Sequence, residues 1–409
     1  MPAPARRRIA VFTGNRSEYG LQFPILRALA GDPRLEYCLL VGGAHLVQDF
    51  GQTVAEIEAD GLQVYREVRV PVRPASAAYT AQSIGDGIQA MGLILSELLP
   101  DFLLVYGDRF ESFAALIAST QMNVPTAHVE GGDYTEGGAL DDSVRHAMTK
   151  LAHLHFTTNR QAAERVLRLG EEPWRVFNVG FPTLDLAREG LFASPQELVA
   201  EFGFDLSRPI VLFCQHPIAS EQEQALDQVR PSLSALCELA AEGFQIVATY
   251  PNNDGGGKAI IQELVRFQEL RLPGVHVAKS LGRRRFHGLL HLMGNAGRGV
   301  LAGNSSAGIK ETRAFGCPCV NIGARQRGRL RAANVVDAGY DSAAIAAATR
   351  RCLESGEFRA LCHTCENPYG EGNAGPKIAE VLATLPINAA LLQKKLTYLR
   401  RISCGLSAS

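Results

Sequence analysis

The sequence carries no excess of either charge: Lys+Arg 41 stand against Asp+Glu 42, a formal net charge of -1 over 409 residues. That excludes the basic footprint left by nucleic-acid binding, so an anion must be held by a local pocket. It also lacks a membrane span. The longest uncharged stretch, Ser112 to Val129, contains Ser, Thr, Gln, Asn and Pro125, whereas a span needs about 20 mainly apolar residues. No apolar h-region follows the Pro/Ala-rich start Met1 to Arg8, so no secretory signal is expected and the chain reads as soluble and cytoplasmic. The nine cysteines are odd in number and irregularly spaced, which predicts reduced thiols rather than a disulfide framework. Cys362-His363-Thr364-Cys365 has no second CxxC at zinc-ribbon spacing, so no metal is expected there. The turn Gly14 to Gly20 after the first strand is not a GxGxxG fingerprint, and GxxxxGK[ST] does not occur, which speaks against a nicotinamide cofactor and an NTPase. No internal period of about 20–50 residues suggests a solenoid.

What is present is the composition of an ordinary globular protein, 46% apolar and 20% charged, long enough for two to three domains. Short β-branched or aliphatic runs end in Gly or polar residues and are followed by amphipathic stretches, the pattern of βα units and a parallel sheet. Strands are predicted at 8–13, 37–41, 64–68, 102–105, 126–129, 155–157 and 176–179, with a helix over 21–29. After Gly180-Phe181-Pro182 the pattern restarts, with strands at 210–213, 245–249, 275–277, 299–302 and 319–322. This predicts an α/β fold of two Rossmann-like domains, residues 1–182 and 183–374, with a C-terminal helical segment at 375–409. In such sheets ligands lie beyond the carboxyl ends of the strands, here expected in an interdomain cleft.

Polar residues gather after those strand ends. Gly14-Asn15-Arg16-Ser17-Glu18-Tyr19-Gly20 forms a turn into a helix that offers N–H groups and Arg16 to an anion. Gly303-Asn304-Ser305-Ser306 opens a helix with two hydroxyls suited to a diphosphate, and Glu311 follows within reach of ribose hydroxyls; a plain Ser N-cap is the alternative. Asp108, Glu130, Asp141 and Asp142 lie on or near strand ends of the first half, beside Arg109 and Arg145, and carboxylates gathered in this way can divide acid and base roles. Asp142-Ser143 is equally readable as the cap of a helix beginning near Val144. His216 in Gln215-His216-Pro217 is placed to donate to a phosphate or to move a proton. Arg283-Arg284-Arg285 reads first as a solvated turn, with diphosphate binding as the alternative.

From Thr13 to Lys395 the chain resembles the hydrolysing UDP-N-acetylglucosamine 2-epimerases of sialic- and legionaminic-acid biosynthesis. The blocks that carry the resemblance are Gly107-Asp108-Arg109-Phe110-Glu111, His128-Val129-Glu130-Gly131-Gly132, Asp141-Asp142-Ser143-Val144-Arg145-His146-Ala147, Gln215-His216-Pro217, Tyr250-Pro251-Asn252-Asn253-Asp254, Gly303-Asn304-Ser305-Ser306 and Gly323-Ala324-Arg325-Gln326. The resemblance implies the glycosyltransferase-B arrangement of the two domains. It implies conversion of UDP-N-acetylglucosamine and water to N-acetylmannosamine and UDP, with no cofactor and no metal. Matched position by position, Arg16, Arg109, Asn252, Ser305, Ser306, Glu311 and Arg325 correspond to UDP-binding residues, as does His216, which also has a catalytic role. Asp108, Glu130 and Asp141 correspond to the carboxylates of proton transfer, with Asp108 or Glu130 favoured for the C2 proton and Asp141 for water. Relatives form homodimers and homotetramers.

The sequence also departs from that family's pattern. Gly20 stands where vertebrate members use a serine against UDP. The loop Asp133 to Leu140 is longer than in relatives, which leaves open the same reaction on UDP-2,4-diacetamido-2,4,6-trideoxyglucose. Lys258 and Lys279 match the CMP-sialic-acid feedback site of vertebrate members, but Leu270 and Ser280 replace its other residues, so no such feedback is expected, and no kinase half is expected either. The rival readings are a glycosyltransferase on the same scaffold, a nucleotide-sugar sensor without catalysis, and the non-hydrolysing epimerase.

Overall fold

The computed structural model describes residues 6–47, 53–72, 77–134, 140–252, 255–296 and 298–397. The chain divides into two units: the described residues of Met1–Asp133, Leu140–Gly180 and Ala374–Ser409, and those of Tyr134–Ala139 and Phe181–Asn373. Each is built on one parallel sheet.

The first unit holds β1 (Arg7–Thr13), β2 (Leu35–Gly42), β3 (Val64–Val68), β4 (Phe102–Tyr106), β5 (Thr126–Val129), β6 (Leu154–Thr157) and β7 (Val176–Asn178), in the order β3-β2-β1-β4-β5-β6-β7. Its central strands are apolar on both faces, as a sheet covered by helices on each side requires; all five residues of β4, Phe-Leu-Leu-Val-Tyr, are buried. Helix Arg16–Gly31 begins five residues before the sequence pattern predicts, because Asn15 caps it by accepting from the Glu18 N–H at 3.0 Å. It runs on through Pro24, as the predicted stretch 21–29 does; the added residues are those of the Arg16-Ser17-Glu18-Tyr19-Gly20 segment, read from the sequence as a turn into the helix. The chain returns to this unit after residue 373: helix Ala374–Thr384 packs with Arg16–Gly31, and Arg7 donates to the Leu382 and Leu385 carbonyls at 2.8 and 2.7 Å.

The second unit holds β8 (Ile210–Cys214), β9 (Gln245–Thr249), β10 (Val275–Ala278), β11 (Gly299–Gly303), β12 (Cys319–Ile322) and β13 (Val335–Ala338), in the order β10-β9-β8-β11-β12-β13. The two doubly wound sheets expected from the sequence are present. β13 was not expected: it is an edge strand of four half-exposed residues with Asp337 in its middle and so lacks an apolar signature. Among the described residues no helix is long and apolar enough to cross a membrane.

In both sheets the strand order reverses direction once, between β1 and β4 in the first and between β8 and β11 in the second. These are the topological switch points, where the loops after neighbouring strands part and leave room for a ligand.

Candidate active site

The switch point of the first unit is flanked by the Gly14–Arg16 turn after β1 and the Gly107–Arg109 turn after β4. Glu18 reaches back from the first helical turn to accept the Gly14 N–H at 2.6 Å, and its other oxygen accepts from the Ser112 hydroxyl. Burial pushes its pKa up to about 8, with Glu111 adding to the rise, so at neutral pH it holds a proton. Glu18 therefore adds no negative charge to the turn at neutral pH, and the side chain of Glu111 also packs under Gly14. Arg16 forms a two-pronged pair with Glu56, at 2.6 and 2.8 Å, and Arg109 pairs with the buried Glu111 at 3.2 Å.

Three of the four carboxylates expected from the sequence, Asp108, Glu130 and Asp142, act on one residue. Arg145, buried in helix Leu140–Leu151, donates to Asp108 and, at 3.2 Å, to Asp142. Burial alone would lower its pKa, but Asp108, Glu130, Asp133 and Asp142 outweigh that, so it stays cationic. Glu130 ends β5 with φ +68, a left-handed conformation that costs a non-glycine residue about 1 kcal/mol or more and recurs where function demands a particular side-chain direction. His128, pushed down to about 3 by burial, lies 2.7 Å through Nε2 from the Gly107 carbonyl and so braces the turn that carries Asp108. Asp141 is exposed in the first turn of its helix, while its neighbour Asp142 is buried. The expected cap at Asp142-Ser143 does not form; the helix begins at Leu140, and Asp142 spends its charge on Arg145.

In the second unit the switch point is flanked by Gln215-His216-Pro217 after β8 and Asn304-Ser305-Ser306 after β11. The ends of these two strands approach so closely that a Cβ on Gly303, at φ +134, would lie 2.0 Å from the Cys214 carbonyl oxygen. Asn304 ties the loops together, accepting from the His216 N–H at 2.6 Å and donating to the His216 carbonyl at 2.8 Å. The His216 ring accepts the Asn252 N–H at Nδ1, 2.9 Å away, and burial, with the Arg325 charge adding, pushes its pKa down to about 3. His216 is thus neutral with its proton on Nε2, a hydrogen-bond donor that lies 3.4 Å from Cys214 Sγ. Arg325 donates to the Asn304 carbonyl at 3.1 Å. Ser305 caps helix Ser306–Lys310, which is only five residues long, so free N–H groups and hydroxyls count for more there than a helix dipole. Glu311 follows that helix, 2.5 Å from Nε2 of the buried His287.

The sequence profile described as UDP-N-acetylglucosamine 2-epimerase matches residues 27–383. The chain belongs to the UDP-N-acetylglucosamine 2-epimerase family. One relative, the UDP-N,N'-diacetylbacillosamine 2-epimerase (hydrolyzing) of Legionella pneumophila, is 32% identical over 389 residues, 95% of this chain and 98% of that one. The UDP-N-acetylglucosamine 2-epimerase of Neisseria meningitidis serogroup B is 29% identical over 360 residues, 87% and 89% of the two chains. In fold, the chain matches the crystal structure of UDP-GlcNAc 2-epimerase from Neisseria meningitidis bound to UDP-GlcNAc with a TM-score of 0.75, covering 92% of this chain and 99% of that one at 18% identity. The protein is a UDP-sugar 2-epimerase, as the resemblance read from its sequence implied.

Of the candidate residues of this epimerase, Asp108 and Glu130 act on Arg145 together, and Arg16, Arg109 and the Gly14 turn flank the same switch point. His216, Asn252, Ser305 and Arg325 flank the switch point of the second unit. Residues Asn253 and Asp254 of the Tyr250 block, and 135–139 of the long loop Asp133 to Leu140, lie outside the described residues. The arginine run is structural in two of its three members, since Arg284 pairs with Glu197 and Arg285 with Glu201, both on helix Pro195–Phe202. Two residues were missed. The Asn15…Glu18 spacing is that of a capping box and signals Glu18. His287 has no such signal, because its link to Glu311 spans 24 residues.

Proposed function

We propose that this epimerase is the hydrolysing type, acting on a UDP-linked 2-acetamido sugar to release UDP and the free sugar epimerised at C2. UDP-N,N'-diacetylbacillosamine is the favoured substrate, because relatives in both Legionella pneumophila and Campylobacter jejuni carry that sugar in their names. UDP-N-acetylglucosamine is the second reading, favoured by the Neisseria relative and the family description.

The chemistry sets two tasks. The C2 hydrogen is not next to a carbonyl, so direct abstraction is hard; anti elimination of UDP, with positive charge building at C1, gives a 2-acetamidoglucal. Water then adds at C1 while a proton returns to C2 from the opposite face. One set of groups must stabilise a departing diphosphate and another must move protons to and from carbon. In this reading the neutral His216 donates its Nε2 proton in a hydrogen bond to the leaving phosphate. Ser305, Ser306, Arg325, Asn252, Arg16 and Arg109 bind UDP, and Glu311 grips its ribose. Asp108 or Glu130 takes the C2 proton, and Asp141 serves the water.

The observation that carries the proposal is the filling of the two switch points. Carboxylates held around Arg145 stand at one, and a neutral donor histidine with two hydroxyls stands at the other, in a chain of the epimerase family. The test is to incubate the protein with each UDP-sugar and separate the products. Equal amounts of free UDP and free mannosamine-configured sugar are expected, faster from the diacetamido substrate. A 2-epimerised sugar that still carries UDP would overturn the hydrolysing assignment.

A further inference from the structure

Helix Leu140–Leu151, whose first turns carry Asp141, Asp142 and Arg145, ends within reach of the C-terminal segment of the chain. Lys394 directs its ammonium onto that end: Nζ lies 3.3 Å from the Thr149 carbonyl, 2.8 Å from that of Lys150 and 2.5 Å from that of Ala152. Carbonyls at a helix C-terminus have no partner within the helix, and a cation there satisfies them and opposes the helix dipole. The same ammonium lies 2.7 Å from a carboxylate oxygen of Glu171, whose side chain is fully buried. Glu171 also takes Lys150 Nζ at 2.5 Å and His155 Nε2 at 3.0 Å.

The segment that delivers Lys394 is bonded along its length. Arg175, buried, donates to the carbonyls of Ala390 and Leu391 at 2.6 and 2.7 Å. The Lys395 N–H reaches Glu172 at 3.2 Å, and the Thr397 N–H reaches the Gly170 carbonyl at 2.9 Å. Gly170 has φ +88, and a Cβ there would lie 2.3 Å from Leu396 Cδ1, so the loop is shaped to receive the segment. None of these groups belongs to the proposed reaction, yet they fix the far end of the helix that presents three residues to it.

We propose that Lys394 is a positioning residue: by collecting the C-terminal carbonyls of helix Leu140–Leu151 and pairing with Glu171, it sets the seat from which that helix offers Asp141, Asp142 and Arg145. This rests on the reading that those residues serve the epimerase reaction. A helix freed at one end shifts along its axis, and Arg145 then loses its grip on Asp108. Misplacement of about 1 Å costs up to a hundredfold in rate.

The charge of Lys394 supplies a readout. Burial brings its pKa down to about 8, against the opposing pull of Glu171. The other charges facing it are Lys150 on the helix and Arg175 before β7, while His153 and His155 are held neutral by burial, each with a pKa near 4. Above about pH 8 the ammonium loses its proton and the clamp weakens.

The experiment compares the full-length protein with Lys394→Met and Lys394→Arg, measuring UDP release from pH 6.5 to 9.5 and thermal unfolding in parallel. Lys394→Met is expected to lower kcat about tenfold at pH 7 with KM within twofold. The wild type is expected to lose kcat as pH rises through about 8, and Lys394→Arg to keep its kcat to above pH 9. A Lys394→Met protein with wild-type kcat and only a lower melting temperature would overturn the proposal. So would an alkaline limb that survives in Lys394→Arg, since it would then belong to another group such as Glu18. A wild type inactive on every UDP-sugar would instead sink the functional reading on which the proposal stands.

Discussion

Glu18→Gln is expected to stabilise the first unit, and by an amount that grows with pH. The wild-type carboxyl is 4% exposed and holds its proton until about pH 8, whereas the unfolded chain releases it near pH 4.5. A group whose folded pKa is raised favours the native state fully below the unfolded value, and that contribution is lost as pH rises through the folded value. Between pH 4.5 and 8 the wild type therefore loses about 1.4 kcal/mol of stability per pH unit from this site. Glutamine keeps an oxygen for the Gly14 N–H and an NH2 for the Ser112 hydroxyl, and it has no proton to lose. The gain of the variant over the wild type should be close to zero at pH 4.5, about 3 kcal/mol at pH 7 and about 4 kcal/mol at pH 8, then level off at about 5 kcal/mol. The single tryptophan, Trp174, belongs to this unit and stacks on Arg175 at 4.1 Å, so urea unfolding followed by its fluorescence reads the right part of the molecule. A difference that does not change with pH would refute the assignment of a neutral Glu18 beneath the Gly14 turn. Because glutamine replaces a carboxyl that is already neutral at pH 7, turnover there should stay within about threefold of wild type, an effect of under 1 kcal/mol.

Glu130→Gly should raise stability by about 1 kcal/mol by relieving the left-handed backbone while reducing turnover by at least 10² if the carboxylate moves the C2 proton; calorimetry and a UDP-release assay check both halves. Arg145→Met strands the half-buried Asp108 and the buried Asp142 without their cation and should cost about 3 kcal/mol of stability, with Arg145→Lys recovering part of it, both read by urea unfolding. His216→Ala should lower kcat/KM by about 10²–10³ through loss of the phosphate donor. Since the free enzyme's His216 is neutral down to about pH 3, the kcat/KM profile between pH 5 and 8 should show no limb that disappears in His216→Gln.

The architecture was legible because its signals are local. Runs such as Phe102-Leu103-Leu104-Val105, closed by Gly107, announce buried parallel strands, and the turns after β1, β4, β8 and β11 carry the polar residues that mark the switch points. What escaped depends on contacts remote in sequence or on the order of the strands. β13 is too short and too polar to show a period. The start of helix Arg16–Gly31 was hidden by the polar residues and glycines of Gly14 to Gly20, which resemble a loop. The sequence reading gathered Asp108, Glu130 and Asp142 beside Arg109 and Arg145, but that Arg145 is the partner they share depends on β4, β5 and helix Leu140–Leu151 being neighbours, which spacing alone does not state. The neutral form of His216 follows from its burial and from the Asn252 N–H, and neither is written in Gln215-His216-Pro217.

The central claim is that this protein breaks and remakes the C2–H bond of its sugar as UDP leaves. Proton NMR in deuterated water tests it most directly, with the protein incubated separately with UDP-N,N'-diacetylbacillosamine and UDP-N-acetylglucosamine. The account predicts free UDP together with a mannosamine-configured sugar fully deuterated at C2 from at least one of them, and loss of that deuteration in the Asp108→Asn, Glu130→Gln double variant. Release of UDP with the C2 proton retained and the configuration unchanged would mean simple hydrolysis or a transferase without its acceptor, and would contradict both the reaction and the roles given to the carboxylates.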